Sequence, residues 1–114
     1  MQQTPLSPLS PPKEGEVIEY DFYSNGNVKH EISFKDGLMH GKYTYFQEDG
    51  TPILSAEYKH GKKDGVCQVF YNNGVLSHKF WCKDDQKHGD FTFFDPYGSI
   101  IEHCVYKNNE KIDF

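Results

Sequence analysis

Between Asp21 and Asp113 large apolar residues recur at every second position in short runs, and the runs themselves recur. Phe22, Phe46, Phe70 and Phe94 stand 24 residues apart, and Gly26, Gly50, Gly74 and Gly98 keep the same step. So do Lys35, Lys59, Lys83 and Lys107. Alternation with a period of two belongs to strands, not helices. A fixed longer step marks a stack of like supersecondary units. Each unit reads strand, tight turn, strand and glycine-marked reversal, over Asp21–Gly41, Tyr45–Gly65, Val69–Gly89 and Phe93–Asp113. The pattern predicts strands over Val17–Tyr23 and about 24–34, 42–47, 52–59, 66–71, 76–83, 90–95 and 100–107, with no strand after the last.

The tight turns are Ser24-Asn25-Gly26, Glu48-Asp49-Gly50, Asn72-Asn73-Gly74 and Pro96-Tyr97-Gly98. A three-residue loop, a type I turn followed by a left-handed glycine, suits all four; a two-residue type I′ turn fits Tyr97-Gly98 poorly. That loop sets Phe22 against Val28, Phe46 against Pro52, Phe70 against Leu76 and Phe94 against Ile100. It also sets Ile18 against Ile32 and Tyr20 against His30. Even-numbered positions, including Ile32, Phe34, Tyr58, Phe80 and Cys82, repeat from unit to unit and are assigned to the core. Odd-numbered positions vary and form the face free to specialise. The reversals are centred on Asp36-Gly37, His60-Gly61 and Asp84-Asp85; the third lacks glycine and is expected to be the stiffest or the most strained.

Composition narrows the class. A chain of 114 residues, 16 % aromatic, suits one domain of thin sheet in which each ring buries much area. No run approaches the length of a membrane helix, and the N-terminus shows no signal-peptide pattern. Net charge is −5 and every basic side chain is lysine, which argues against nucleic acid, where arginine forks read phosphates and bases. The three cysteines cannot all pair within the chain, and the register sets Cys67 and Cys82 on opposite faces. Reduced thiols and a cytoplasmic location follow as the expectation. Residues 1–16 open with MQQTPLSPLSPP and are expected to be a disordered, proline-rich tail; residues 17–114 form the repeat domain.

The segments FYSNGNVKHEISFKDGLMHGKY and YFQEDGTPILSAEYKHGKKDGV resemble the MORN repeat variant, the short repeat that fills the YwqK-family antitoxins of bacteria. The resemblance covers roughly residues 19 to 111 and departs from the pattern at Asp85, Asn109 and Asp113. It implies an all-β fold, a single-layer antiparallel meander of about four 24-residue β-hairpin repeats. It further implies a non-enzymatic protein-binding module of the antitoxin or immunity type that occludes a partner, possibly a toxin. Its alternatives are a peripheral module for anionic lipid surfaces, for which Lys59, Lys62 and Lys63 are the basic cluster, and a translocated effector or scaffold.

Chemistry finds no assembled centre in the sequence. His40, Asp64 and His88 share one slot of successive units, so His40 and His88 stand about 19–20 Å apart, too far to share a metal. His103 and Cys104 are strand neighbours pointing to opposite faces and cannot form a nucleophile pair. No cofactor, metal or catalytic residue is expected. The odd-numbered aromatics remain. Tyr43, Tyr45, Trp81, Phe91 and Phe93 are too large for a solvated face, and with Glu57 and Lys79 at the rim they are the expected partner-binding surface or a second core. Homodimerisation through open sheet edges is a further option.

Overall fold

The computed structural model describes residues 15–112; most of the expected proline-rich tail, together with Asp113 and Phe114, lies outside the described residues. Nine strands follow one another: β1 (Glu16–Phe22), β2 (Val28–Lys35), β3 (Leu38–Phe46), β4 (Pro52–Lys59), β5 (Lys62–Phe70), β6 (Leu76–Lys83), β7 (Gln86–Phe94), β8 (Ile100–Lys107) and β9 (Glu110–Ile112). They form one open antiparallel sheet in sequence order, each strand pairing with the next. The fold is thus the all-β, single-layer meander of four repeats, extending 56 × 35 × 21 Å.

Turn chemistry fixes the ends of the strands. In the first tight turn the Gly26 N–H donates to the Tyr23 carbonyl at 2.9 Å and Gly26 sits at φ +91°. The Tyr23 N–H donates to the Asn27 carbonyl at 2.9 Å. This is the expected three-residue loop with a bulged glycine, and it recurs at Gly50, Gly74 and Gly98. Because the loop and its closing pair occupy Tyr23–Asn27, β2 starts at Val28, not at residue 24. In three loops Asn25, Asn73 or Asp49 accepts the N–H two residues on; in the fourth, where Tyr97 stands in that place, Asp95 accepts from both Tyr97 and Ser99.

The reversals are two-residue turns with both central residues at positive φ, closed by Lys35–Leu38, Lys59–Lys62, Lys83–Gln86 and Lys107–Glu110. They are tighter than expected, so β3, β5 and β7 start earlier than predicted, and Lys107 leads into a ninth strand that the sequence did not suggest. Where glycine is missing, Asp84 and Asp85 hold φ +49° and +68°. Asp85 compensates: its carboxylate accepts the Lys63 N–H at 2.8 Å while its own N–H donates to the Lys63 carbonyl at 2.9 Å. Asn109 makes the same pair of bonds to Lys87.

The assignment of faces by even and odd numbers is overturned. Phe22 pairs with Val28 but Asp21 with His30, leaving Lys29 as an extra residue; Ile53, Ser77 and Ile101 are extra at the same step. A single inserted residue reverses the facing of everything beyond it. Hence Ile18 lies opposite Ser33 and Tyr20 opposite Glu31, not Ile32 and His30. Opposed residues share a face, and following the pairs across the sheet sorts the chain anew. One face, called A below, carries His30, Ile32, Tyr43, Tyr45, Leu54, Ala56, Tyr58, Cys67, Val69, His78, Phe80, Cys82, Phe91, Phe93, Cys104 and Tyr106. The other, B, carries Glu31, Lys42, Thr44, Ser55, Glu57, Gln68, Lys79, Trp81, Thr92 and His103, with Phe22, Val28, Phe46, Pro52, Phe70, Leu76, Phe94 and Ile100 along one margin.

Burial is deepest mid-sheet on A, where Ala56, Cys67 and Cys82 pack under Tyr58 and Phe80. No described side chain is fully buried, as a single layer dictates. Hydrogen bonds between successive turns brace the margins. Tyr23 and Tyr71 hydroxyls donate to the Phe46 and Phe94 carbonyls at 2.6 Å, and Asn25, Gln47 and Asn73 reach the carbonyls of Glu48, Asn72 and Pro96.

Candidate functional site: the aromatic face

Face A gathers rings from six strands into two clusters. The first joins β2, β3 and β4: His30 lies 4.6 Å from Tyr45 and 5.7 Å from Tyr43 between ring centroids, and Tyr43 meets Tyr58 edge-on at 6.4 Å. The Tyr43 hydroxyl and His30 Nδ1 are 3.0 Å apart, which fixes the imidazole against the phenol. Burial and the nearby Tyr58 and Tyr45 phenols raise the Tyr43 pKa above its ordinary value. The second joins β6, β7 and β8. Phe80 and Phe91 stack at 4.8 Å with planes only 6° apart, and Phe91 also meets Phe93 at 4.7 Å and Tyr106 at 5.4 Å. His78 lies 5.8 Å from Phe91 and 5.5 Å from Phe93. Lys87 Nζ sits 5.2 Å from the Tyr106 centroid and 5.8 Å from that of Phe91, a cation held over two ring faces. Burial first, and then the Lys87 charge, lower the His78 pKa, which favours the neutral imidazole.

The expected partner-binding residues divide between the faces. Tyr43, Tyr45, Phe91 and Phe93 lie together on A; Trp81, Glu57 and Lys79 lie on B. Trp81 is 44 % exposed and apart from the clusters. The Glu57 carboxylate accepts the Val66 N–H at 2.9 Å, closing the backbone irregularity between β4 and β5. His30, Tyr58, His78, Phe80, Lys87 and Tyr106 complete the aromatic face and were absent from the expected set. Lys29, Ile53, Ser77 and Ile101 are the extra residues that put the even-numbered members on the face of Tyr43 and Phe93, and as four positions of unlike chemistry they carry no signal in the sequence.

These four hairpins are also recognisable as sequence. The model of the MORN repeat variant matches residues 13–36, 39–60, 63–79 and 87–108, most of the chain. The chain belongs to the MORN repeat variant family. A search of the curated proteins finds no match. MORN repeats are generally binding modules for proteins or lipids, so the open aromatic face is read as a contact surface.

The thiols need a correction. Cys67 and Cys82 share face A with their Sγ atoms 3.8 Å apart, because the bulge at Ser77 brings β6 into phase with β5. Both are free, as is Cys104. Burial, reinforced by Cys82, pushes the Cys67 pKa up to about 12, which keeps it a protonated, unreactive thiol. His40 lies against His60, ring centroids 5.2 Å apart and planes tilted by 50°, and among the described residues no group of three or more metal-ligating side chains converges.

Proposed function

We propose that this MORN-repeat chain is a non-enzymatic, protein-binding module that covers a partner's working surface with face A. One observation carries the reading: the rings of His30, Tyr43, Tyr45, Tyr58, His78, Phe80, Phe91, Phe93 and Tyr106 lie on one face of a single sheet, with no second layer over them among the described residues. Aromatic anchors that are rigid and already assembled lose little entropy on binding, which is why Tyr, Trp and Phe dominate interface hot spots. Trp81, Glu57 and Lys79, being on face B, are not part of this contact. The finer reading is an antitoxin- or immunity-type protein of a bacterial cytoplasm. Its support is the resemblance of the repeats to the YwqK-family antitoxins and three unpaired buried thiols, which suit a reducing compartment. The net charge of −5 favours a basic partner.

The test is affinity capture with the wild type and with a Tyr45→Lys/Phe93→Lys variant whose fold is verified by circular dichroism, followed by reconstitution of each captured protein with purified chain. A purified partner that binds wild type and loses at least tenfold in affinity with the folded variant supports the reading. Equal binding to both moves the contact off face A. Anionic vesicles run alongside separate lipid from protein: lysine-dependent binding that falls with salt and replaces any protein contact would favour the membrane-surface role, in which Lys59, Lys62 and Lys63 contribute.

A further inference from the structure

We propose that the outer edge of β1 is a docking site for an extended, basic segment of a partner protein, which joins the sheet as one more antiparallel strand. Glu19 and Asp21 of this edge share face A with His30 and Ile32, but the edge lies outside the aromatic clusters and its argument does not depend on that reading.

By the 24-residue step β1 corresponds to β3, β5 and β7, with Phe22 at the place of Phe46, Phe70 and Phe94. Those strands are paired on both sides; among the described residues β1 is paired with β2 alone. A row of backbone donors and acceptors is therefore open along Val17–Phe22. Beside it stand exposed apolar side chains, Val17 at 54 %, Tyr20 at 42 % and Phe22 at 57 %. An open ladder flanked by uncovered apolar surface is the template used in strand-addition recognition.

The register says what the incoming strand carries. In the paired equivalents, residues 30, 31 and 32 of β2 meet Tyr45, Thr44 and Tyr43, while Leu54, Ser55 and Ala56 meet Val69, Gln68 and Cys67. Likewise His78, Lys79 and Phe80 meet Phe93, Thr92 and Phe91. Transposed to β1, three consecutive residues of an incoming strand meet Asp21, Tyr20 and Glu19 in that order. Where the other units present Tyr, Cys, Val or Phe on face A, β1 presents two exposed carboxylates. Opposite charges across a strand pair attract and like charges repel, so the first and third residues of the incoming triplet are lysine or arginine. The residue between them lies beside Tyr20 on face B.

Other occupants fit badly. A second copy pairing β1 antiparallel to β1 sets Glu19 and Asp21 against carboxylates. In a second copy β8, the equivalent of β2, β4 and β6, is already paired on both sides, with β7 and β9, and among the described residues β9 offers an edge of only three residues. The chain's own N-terminal segment carries Pro5, Pro8, Pro11 and Pro12, which have no N–H to give a ladder. The same two carboxylates thus oppose pairing of β1 with a second β1 and select a basic strand.

The probe is a fluorescein-labelled peptide, Ac-Val-Thr-Lys-Thr-Lys-Val-Thr-amide, titrated against the full chain by fluorescence anisotropy. Hydrogen exchange is followed in parallel on the fragment spanning β1. Two control peptides replace both lysines with glutamate or N-methylate alternate backbone amides. The expected result is saturable binding with slowed exchange in β1, roughly tenfold or more weaker for the glutamate peptide and lost for the N-methylated one. A Glu19→Lys/Asp21→Lys variant, whose changes are solvent-exposed, reverses the preference between lysine and glutamate peptides, whereas Tyr45→Lys/Phe93→Lys leaves it unchanged. The proposal is overturned by no binding, by equal binding of the N-methylated peptide, by protection confined to strands other than β1, or by a folded charge-reversed variant that still prefers lysine.

Discussion

Gly65→Ala separates the two jobs of the glycine that precedes the central strand pairings. Gly65 holds φ +121°, a conformation L residues rarely adopt, and a Cβ there would stand 2.5 Å from Glu57 Oε1 and 3.0 Å from Glu57 Cβ. Forcing alanine into this backbone costs about 1–3 kcal/mol. Pushing the Glu57 carboxylate aside also removes its hydrogen bond from the Val66 N–H, about 1 kcal/mol in this solvent-accessible setting. The sum, about 2–4 kcal/mol, corresponds to a fall in Tm on the order of 10–25 °C for a chain of this size. Gly89, at the equivalent place with φ +101°, would bring a Cβ no closer than 3.8 Å to the Trp81 Cβ, so Gly89→Ala bears the backbone cost alone. Urea unfolding followed by circular dichroism measures both. Glu57→Ala removes the carboxylate part of the obstruction and its hydrogen bond while keeping the Cβ, so Gly65→Ala should cost about 1 kcal/mol less in that background. If Gly65→Ala and Gly89→Ala agree within about 0.5 kcal/mol, or the cycle shows no coupling, the contact with Glu57 has no energetic weight and the reasoning fails.

Lowered by burial and Lys87, the His78 pKa makes the native state bind its proton less readily than the unfolded chain, whose imidazole titrates near 6.5. Stability should therefore fall as pH drops below that value, and His78→Phe should flatten the decline in urea midpoints between about pH 7.5 and 5.5. Cys67 behaves oppositely. Its native pKa of about 12 against an ordinary 9.0 means the folded chain retains a proton that the unfolded chain releases, so stability declines as pH rises from about 9 toward 12, and Cys67→Ala lessens that decline. At neutral pH the three buried thiols should react with a thiol reagent only at the rate of opening, and within seconds in denaturant. Phe91→Ala, at a ring only 5 % exposed, should cost about 3 kcal/mol or more, whereas Trp81→Ala, at a ring 44 % exposed, should cost under about 1 kcal/mol by the same denaturation assay.

Repetition made the architecture legible: Phe22, Gly26 and Lys35 at one fixed step specify hairpins, and the poor fit of Tyr97-Gly98 to a two-residue turn points to the three-residue loop. The faces were not legible by counting. Alternation assumes one residue per ladder rung, and Lys29, Ile53, Ser77 and Ile101 each break it. Because these extra residues differ chemically, no residue type announces them. The consequence was physical and large: Tyr43 and Phe93 moved to the side of Tyr58 and Phe80, Trp81 and Lys79 moved away, and Cys67 came beside Cys82. β9 was missed for a related reason. Asn108 and Asn109 replace the residues that usually make the reversal, and the Asn109 side chain supplies by hydrogen bonding to Lys87 what glycine supplies by freedom of φ.

Strand order equal to sequence order has a kinetic and an evolutionary side. Every strand meets only its sequence neighbours, and the side-chain bonds that join successive turns span no more than 25 residues. No distant segments need to find one another, so the sheet can grow by zipping outward from any formed hairpin and can fray from either end without losing its middle. Lengthening or shortening the chain by a whole repeat keeps every remaining side chain on its own side. A single residue added within a strand does not, since it turns the remainder of that strand over. Such a chain changes span in steps of one hairpin, and its contact surface widens or narrows while the chemistry of each face is preserved.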